Sequence, residues 1–364
     1  MNVRTVGVEE EFLLVDPASG RPRAVADTVL RLAPRDWTGG LLQNELQRQQ
    51  LETVTRPCAS LAELADQIRR SRRAAAAAAR ARDVAIAALA TCPLPVRPAL
   101  TPTDRYVRMA EEYSLTAAEQ LTCGCHVHVC VASADEGVAV LDRIRPWLPP
   151  LLALSTNSPY WHGIDSGYAS YRRQVWGRWP SAGPTELFGS AAAYRATVND
   201  MLLTGTILDE GMIYFDARLS CHYPTVEIRI ADVCLLADDA VLIAALASAL
   251  VETAAREWRS GSSPLPVHTE QLRLATWRAA RSGLNEDLVH PLTGRPTPAD
   301  RVVLVLLEHA ARVLSEAGDL GTVEDLLLDV LKRGTGADLQ RHLHQRTGEL
   351  AKVVTHAVSR TVES

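Results

Sequence analysis

The stretch Gly7-Val8-Glu9-Glu10-Glu11-Phe12-Leu13-Leu14-Val15 predicts the strand around which the rest of the chain is organised. Apart from the three glutamates its residues are apolar, and several are of the types common in strands. Because successive side chains of a strand point to opposite faces, Glu9 and Glu11 share one face, while Val8 and Phe12 share the other. Two neighbouring carboxylates on one face indicate a cation site.

Glu10 breaks this alternation, because it falls on the apolar face of the strand. The alternation accounts for Glu10 only if this residue lies at the edge of the strand or in a bend. The ordinary alternative for the whole triplet is a solvated edge strand with three surface acids, since carboxylates are mostly exposed in proteins. Other polar side chains that join Glu9 and Glu11 would distinguish a site from such an edge.

Composition predicts a folded chain that does not act mainly on nucleic acid. Hydrophobic residues make up 47% and charged residues 22%, which is typical of a globular protein. The net charge of -5 disfavours nucleic acid, and the longest apolar stretches are too short to span a bilayer. Seven irregularly spaced cysteines predict reduced thiols and, with the other features, a cytoplasmic protein. No repeat or low-complexity linker divides the chain, so we expect one domain over residues 1–364, with the sheet mainly in residues 1–235 and helices in residues 236–364.

Three later segments repeat the alternation of the first strand. Their polar faces carry Glu52 in residues 51–55, His126 and His128 in residues 121–131, and Glu227 and Arg229 in residues 225–230. Carboxylates gathered on a sheet face repel one another, whereas cations such as Mg²⁺ take oxygen ligands and accept an occasional imidazole. An arginine on the same face can bind a phosphoryl oxygen beside a metal-bound one. The pattern leaves two interpretations, a metal and phosphate site or a wet sheet face.

Helices are predicted at both ends of the chain. The capping box Ser60-Leu61-Ala62-Glu63 opens a helix that can run to about residue 90. Its arginines are predicted to form a solvated face: Arg69, Arg70, Arg72, Arg73, Arg80 and Arg82. Further helices are predicted at residues 106–119, 191–208, 238–258 and 271–282, from residue 297, from residue 322, and at 338–362, and a further strand at 213–219. Strands come mainly first and helices last, which predicts an α+β fold with helices packed on one side of an antiparallel or mixed sheet.

Two other features bear on the chemistry. His126 and His128 leave open a metallohydrolase, in which imidazoles bind a metal that activates water. Structural zinc is disfavoured, because the alternation turns Cys123 and Cys125 away from both imidazoles. The sequence has no P-loop, no Gly-x-Gly-x-x-Gly after a strand and no Gly-x-Ser-x-Gly, so a nucleotide would bind on neither of the two common phosphate loops.

The segment of residues 160–188 is longer than most connections in compact domains, and such long loops are usually functional or disordered. It is rich in Gly, Pro, Trp and Arg. Its aromatic residues favour an ordered loop: Tyr168, Tyr171, Trp176 and Trp179.

The sequence resembles the carboxylate-amine ligases of the glutamate-cysteine ligase type 2 group, which are relatives of glutamine synthetase in fold. The resemblance covers nearly the whole chain and rests on Gly7-Val8-Glu9-Glu10-Glu11-Phe12, Leu51-Glu52-Thr53-Val54-Thr55, Cys123-Gly124-Cys125-His126-Val127-His128-Val129, Asp165-Ser166-Gly167-Tyr168-Ala169-Ser170-Tyr171-Arg172 and Tyr223-Pro224-Thr225-Val226-Glu227-Ile228-Arg229. It implies a curved antiparallel sheet, with helices on its outer side and ATP with Mg²⁺ or Mn²⁺ ions on its inner face. It also implies that a carboxylate, glutamate's in the relatives, is phosphorylated and then captured by an amine such as cysteine, and that the protein is a homodimer.

Carried over position by position, the resemblance implies roles for the residues of the polar faces. The metal ligands would be Glu9, Glu11, Glu52, His126 and Glu227. Arg229 matches the arginine that steadies the transferred phosphoryl group, and Arg172 matches a loop arginine expected to contact phosphate or substrate. Nucleotide or substrate binding would fall to Glu45, His128 and Arg341. The loop of residues 160–188 would close the site against water.

Two positions depart from the pattern of the group. Cys92 stands where many relatives carry histidine, and Asp338-Leu339-Gln340-Arg341 lacks one arginine of the usual C-terminal pattern. The second departure concerns contacts to substrate or nucleotide and does not affect the implied metal ligands. A relative that binds a nucleotide or an amino acid without turnover therefore stays open as an alternative to an active ligase.

Overall fold

The fold is built on an antiparallel sheet of seven strands, in a computed structural model that describes residues 4–32 and 40–363. The strands of the chain are β1 (Val6–Val15), β2 (Gly40–Asn44), β3 (Gln50–Thr55), β4 (Ala85–Ala87), β5 (Gly124–Cys130), β6 (Tyr160–Trp161), β7 (Ile164–Asp165), β8 (Ala217–Leu219), β9 (Thr225–Asp232), β10 (Asp287–Val289) and β11 (Pro296–Pro298). The main sheet has the order β2-β3-β1-β5-β9-β8, and β4 also pairs with β1. Because β1 pairs with β3, β4 and β5, it is the strand that joins the two halves of the sheet.

Helices pack mainly on one face of this sheet. They are α1 (Ala26–Leu32), α2 (Leu61–Arg80), α3 (Asp104–Tyr113), α4 (Leu115–Glu119), α5 (Ala134–Ile144), α6 (Leu148–Ser155), α7 (Arg172–Trp176), α8 (Ala191–Leu203), α9 (Ala237–Arg259), α10 (Thr269–Ser282), α11 (Ala299–Ala317), α12 (Leu320–Arg333), α13 (Gly336–Thr347) and α14 (Leu350–Val362). Of these helices, α3 and α7 contribute side chains to a cavity on the other face of the sheet. Within the described ranges, no helix is both long and apolar enough to cross a membrane.

The core lies between the apolar face of the sheet and these helices. Val8, Val127 and Ile228 are buried on that face, where α2, α6 and α9 pack against β1, β5 and β9. The helices α11 and α12 pack on α9 in turn, and α10 packs on α6. The predicted α+β fold, an antiparallel sheet with helices packed on one side, is confirmed. The opposite face of β1, β5 and β9 is left for polar side chains, as the alternation predicts.

The helix predicted to run to residue 90 ends at Arg80, so this prediction was wrong in its length. The chain turns at Asp83, where φ is +54°, and then forms β4 beside β1. Ile86 and Ala87 are buried in this strand. Alanine-rich sequence favours a helix throughout, so pairing with β1 overrides the local preference.

Several other predicted elements are divided or shortened. The helix predicted at 106–119 is divided into α3 and α4 at Ser114 (φ +46°), and the one at 338–362 into α13 and α14 at Gly348 (φ +69°). The helix predicted at 191–208 ends at Leu203, and the strand predicted at 213–219 is reduced to β8. The helix α12 starts at Leu320, two residues before the predicted start at residue 322. A positive φ ends the run of helical hydrogen bonds, and only glycine marks such a position clearly in a sequence.

Glu10 is neither at an edge nor in a bend, and its partner Arg72 is not on a solvated face. Both side chains are about fully buried, with 2% and 1% of their surfaces exposed. Arg72 donates to Glu10 through Nη2 to Oε1 at 2.6 Å and through Nε to Oε2 at 3.0 Å. It also donates to the carbonyl oxygens of Cys234, Leu235 and Thr361. The pair therefore joins α2, β1, the end of β9 and α14 behind the polar face.

Candidate active site

The polar face of the sheet forms the floor of a cavity of about 400 Å³. The strand register places its floor residues beside one another, because Glu11 lies opposite Glu52, Glu9 opposite His126 and His128 opposite Glu227. The cavity therefore contains side chains from β1, β3, β5 and β9, and also Glu45, which directly follows β2. The sequence predicted these shared faces; the pairing of the strands adds which residues are neighbours.

Glu9 lies between the two histidines of β5. Its Oε2 is 3.3 Å from Nδ1 of His126, and its Oε1 is 3.2 Å from Nε2 of His128. His128 is further oriented by Thr225, whose Oγ1 is 3.0 Å from Nδ1. Burial acts to raise the pKa of Glu9, but the hydrogen bonds and positive charge of the two histidines outweigh it and hold this pKa well below its usual value. The two histidines therefore favour the ionised form of Glu9.

The other acidic residues, Glu11, Glu45 and Glu52, form a second group that pairs with no arginine or lysine in the part of the chain that the structure describes. Glu11 accepts from the backbone N–H of Gly124 at 2.7 Å, and Glu45 accepts from the backbone N–H of Leu46 at 2.9 Å. Burial, with the negative charge of Glu11, raises the pKa of Glu45 to about 8. Burial, with the charges of Glu45, Glu9 and Glu11, raises the pKa of Glu52 well above its usual value. This group would gain from a positive charge placed among its oxygens.

Two arginines contact Glu227. Arg218 donates through Nε to Oε2 of Glu227 at 2.7 Å, and Arg229 donates to Oε1 of the same carboxylate. Burial acts to raise the pKa of Glu227, but the charges of Arg229 and Arg218 lower it to about 2. The Arg229 guanidinium also lies 5.6 Å from the ring centroid of Trp176 and 6.0 Å from that of Tyr214. Since both oxygens of Glu227 already accept hydrogen bonds, a metal at Glu227 would have to share this carboxylate with the arginines.

The donor set fits divalent cations. Three groups have ligand atoms within 4.8 Å of one another: Glu9 with Glu52 and His126, Glu9 with His128 and Glu227, and Glu11 with Glu45 and Glu52. The Nε2 atom of His126 is buried and makes no hydrogen bond within the described part of the chain. Carboxylate oxygens with one or two imidazoles suit hard ions such as Mg²⁺ or Mn²⁺. These residues could therefore hold more than one cation above the sheet.

The acidic group leads to a test of cation binding by pH. A carboxylate whose pKa is raised by folding contributes stability below its unfolded pKa and loses that contribution as the pH rises through the folded value, here about 8 for Glu45. Metal binding needs deprotonated carboxylates and removes their repulsion. We expect saturating Mg²⁺ to raise the melting temperature by at least ~2 °C more near pH 8 than near pH 6. Differential scanning calorimetry with and without chelator measures this difference.

The matched variant for this test is Glu52→Gln, which keeps the shape of the side chain and removes its charge. It should make the metal-free protein more stable near pH 8, because it removes the repulsion of residue 52 with Glu9, Glu11 and Glu45. It should also abolish most of the shift caused by Mg²⁺. Glu324→Gln, on the exposed face of α12, is the control and should behave as the unaltered protein. An equal Mg²⁺ shift in Glu52→Gln protein would exclude Glu52 as a ligand.

Two predicted site residues lie outside the cavity lining. Arg172 begins α7 behind Gly124, and its guanidinium lies 3.3 Å from the carbonyl oxygen of Ile230. A Cβ atom at Gly124 would collide with this guanidinium. Arg341 donates to Asp165 at 2.7 and 3.0 Å, next to the carbonyl oxygen of Tyr168. The structure therefore brings together Glu9, Glu11, Glu45, Glu52, His126, His128, Glu227 and Arg229, without Arg172 or Arg341.

Three cysteines near the site are turned into the core. Cys123, Cys125 and Cys92 are buried, and burial raises the pKa of all three thiols. Cys125 packs with the apolar residues on the face of β5 opposite His126. This is the arrangement expected from strand alternation.

The cavity also contains residues that sequence reasoning missed. They are Gln50, Arg105, Tyr106, Gln120, Tyr214 and Arg218. Only Tyr214 and Arg218 carried a signal, because they lie on the same face of the predicted strand at 213–219. Arg105 and Tyr106 lie on α3, and no local pattern indicates that this helix faces the sheet. Trp176 and Trp179, from the long segment at 160–188, also line the cavity, together with Tyr223.

A second chamber of about 560 Å³ adjoins the cavity at the start of β1 and the end of β5. Both are lined by Glu9, Val54, His128 and Tyr223, but the chamber is otherwise mainly apolar, with Gly7 and Leu41 in its lining. The polar face of the sheet therefore changes along β1 from an acidic part to an apolar part. This combination suits a ligand with a charged end and a flat apolar end.

Comparison with known proteins places the chain in a family. Residues 5–356 match Glutamate-cysteine ligase family 2 (GCS2). A Streptomyces avermitilis protein that carries the provisional name glutamate–cysteine ligase 2-1 is 55% identical over 360 residues, which cover 99% of both chains. A Streptomyces coelicolor protein with the provisional name glutamate–cysteine ligase 2 is 56% identical over 360 residues, with the same coverage of both chains.

Solved structures agree with this fold. The glutamate–cysteine ligase of Francisella tularensis, solved in complex with AMP, superposes with a TM-score of 0.74 at 13% identity and covers 100% of this chain and 89% of its own. The bifunctional glutathione synthetase of Pasteurella multocida gives a TM-score of 0.71 at 15% identity, over 99% of this chain and 52% of its own. With a family match over nearly its whole length and relatives more than 50% identical, the chain belongs to glutamate–cysteine ligase family 2, a family of ligase enzymes.

Proposed function

We propose that the protein is an ATP-dependent carboxylate-amine ligase that forms an amide bond through an acyl phosphate. The observation that carries this proposal is the acidic, cation-compatible group beside Arg229, which opens into an apolar chamber. The name of the family and the AMP bound to the Francisella ligase support a nucleotide as the source of the phosphoryl group. Glutamate and cysteine are the substrate pair that the family name suggests.

In this proposal the ligands lie along the face of β1. The base of ATP would occupy the apolar chamber near Gly7 and Tyr223, and its phosphates would lie above Glu9, Glu11 and Glu52. A divalent cation among these carboxylates would neutralise phosphate charge during the transfer. Without it, the carboxylates themselves would repel a triphosphate, so the site needs the cation for binding as well as for chemistry.

The chain's own residues would orient the reactants and stabilise charge. Arg229 stands beside Glu227 with its guanidinium against Trp176, where it can donate to an oxygen of the phosphoryl group in transfer. The substrate carboxylate attacks the γ-phosphorus in line, ADP leaves, and the amine then displaces phosphate from the acyl phosphate. Trp176 and Trp179 cover this part of the cavity and would limit hydrolysis of the intermediate by water.

A screen of acids against amines tests the proposed reaction. The protein with ATP and Mg²⁺ or Mn²⁺ should release ADP only when both an acid and an amine are present, and mass spectrometry should find an amide of the two. Glutamate with cysteine is the first pair to test. Turnover without ATP that depends on zinc would support the metallohydrolase instead. ATP binding by calorimetry with no ADP formed across the panel would support a binding protein without turnover.

The resemblance also suggests a homodimer and a cytoplasmic location, and both belong to the proposal. Light scattering of the purified protein measures the mass directly. A mass of one chain at micromolar concentration would remove the dimer from the proposal and leave the reaction unaffected, because the carboxylates, histidines and arginines of the cavity all come from one chain.

A further inference from the structure

A smaller cavity of about 250 Å³ lies beside β8, at the edge of the sheet. It is enclosed by α8 on one side and by the chain on both sides of β8 on the other. Val198, Ile213 and Leu219 give it an apolar wall. It shares Arg218, Ser220 and Cys221 with the active-site cavity, so the two cavities are separated by a wall of single side chains.

The mouth of this side pocket carries opposite charges that do not pair with each other. Arg195 and Asn199 are one turn apart on α8 and therefore lie on the same side of the helix. Glu210 lines the pocket from the turn Glu210–Met212. Across residues 4–32 and 40–363, none of these three side chains makes a hydrogen bond or an ion pair, although Arg195 and Glu210 line the same small space.

Two largely buried groups add donors to the pocket. The Tyr194 hydroxyl accepts a hydrogen bond from the backbone N–H of Leu219 at 3.2 Å, and burial raises the pKa of this phenol to about 12, so the O–H proton remains available to donate. Arg218 has five N–H groups, of which four are directed at Glu227 and at the carbonyl oxygens of Gly211 and Ile213. One N–H of Arg218 is therefore left for a ligand.

We propose that this side pocket binds a free α-amino acid, with the α-carboxylate at Arg195 and Asn199 and the α-ammonium group at Glu210. The zwitterion of an α-amino acid carries one negative and one positive group on the same carbon atom, which matches the two opposite charges at the mouth. The side chain of the amino acid would pack on Val198 and Ile213. The pocket has room for such a molecule, whereas a nucleoside triphosphate needs the larger cavity and chamber on the sheet face.

Binding in this pocket would affect the active site through Arg218. The same guanidinium that borders the pocket donates to both oxygens of Glu227. The bound amino acid could be the amine substrate on its way to the cavity or a molecule that modulates the reaction without being consumed. Both sources share the zwitterion chemistry, and they differ in whether the bound nitrogen appears in the product.

Isothermal titration calorimetry of the full chain, without ATP or metal, tests the site apart from the ligase reaction. The probes are L-valine and L-cysteine, with L-valinamide lacking the carboxylate and N-acetyl-L-valine lacking the ammonium charge. The amino acids should bind, and each derivative should bind at least about tenfold more weakly, because one charged hydrogen bond is lost. Absence of binding by both amino acids would overturn the proposal.

Variants assign the binding to this pocket. Arg195→Gln should weaken L-valine binding at least about tenfold, and the variant should no longer bind L-valine more tightly than L-valinamide. Glu210→Gln should also weaken L-valine binding at least about tenfold, and this variant should no longer bind L-valine more tightly than N-acetyl-L-valine. All three mouth residues are exposed, so the variants should fold; Asp200→Asn, exposed on α8 but outside the pocket, is the control. Binding that is unchanged in both variants would place the amino acid elsewhere and overturn the proposal.

An isotope experiment distinguishes the two sources. With a ¹⁵N-labelled amino acid that binds the pocket, label in the amide product identifies the amine substrate, whereas a changed rate without label identifies a modulator; either result supports the site. If the protein binds amino acids as described but releases no ADP with any acid and amine, the proposed ligase reaction fails and the side pocket stands.

Discussion

Replacing Arg229 with alanine should lower the rate of amine-dependent ADP release by about 10²–10³-fold, the loss seen when one preorganised donor to a developing charge is removed. The physical reason is its place in the cavity: the guanidinium is buried beside Glu227 and against Trp176, with its Nε making no hydrogen bond among the described residues. A buried donor is worth more than an exposed one because water does not screen it. Steady-state ADP release at saturating ATP and Mg²⁺ measures the effect.

Matched variants separate this role from a general loss of structure. Arg229→Lys keeps the charge but not the planar fork, so it should recover only part of the rate. Arg73→Ala, on the exposed side of α2, should leave the rate within about twofold, since most surface substitutions change little. Because Arg229→Ala leaves Glu227 with Arg218 as its cationic partner, melting temperatures should accompany each rate. A folded Arg229→Ala protein that retains the full rate would remove this arginine from the mechanism.

The acidic face of the cavity could be predicted from sequence because strand alternation is a local rule. Glu9 and Glu11 on β1, and His126 and His128 on β5, needed only their own segments to be placed on a common face. What the local rule could not supply was the partner of each strand. The closeness of Glu11 to Glu52 follows from the antiparallel pairing of β1 with β3, and such pairing depends on the whole sheet.

The parts of the site that come from helices and loops were not predictable in the same way. Tyr106 reaches the cavity from α3 and Trp176 from α7, and neither position is distinguished by the periodicity of its own segment. Arg172 shows the converse case. The resemblance places it beside substrate, but in this structure its guanidinium lies against the backbone of β9, behind Gly124.

Glu10 was the residue of the first strand that the alternation left without an explanation, and its partner could have been suspected. Leu64, Ile68 and Arg72 recur every four residues on α2, so Arg72 lies on the buried face of that helix and not among its exposed arginines. The charge of Arg72 hid this signal, because charged residues are normally assigned to the surface. Glu10 is a charged residue on the apolar face of a strand, and Arg72 is a charged residue on the buried face of a helix. The two form an ion pair with each other.

Replacing Arg72 with alanine should therefore lower the free energy of unfolding by about 3–5 kcal/mol, because it leaves the buried carboxylate of Glu10 without a partner and also removes hydrogen bonds to three carbonyl oxygens. Urea unfolding at neutral pH measures the loss, with Arg73→Ala as the exposed control.

Two further variants separate the ion pair from the unpaired charge. Glu10→Gln should lower the free energy of unfolding less than Arg72→Ala does, since a neutral amide can still accept from Arg72. Replacing both residues together, as Glu10→Leu with Arg72→Met, should restore much of the loss, because well-packed apolar side chains often match a buried ion pair in stability. If the double variant were less stable than Arg72→Ala alone, the ion pair itself, and not the unpaired charge left by its disruption, would account for the stability of this layer behind the active site.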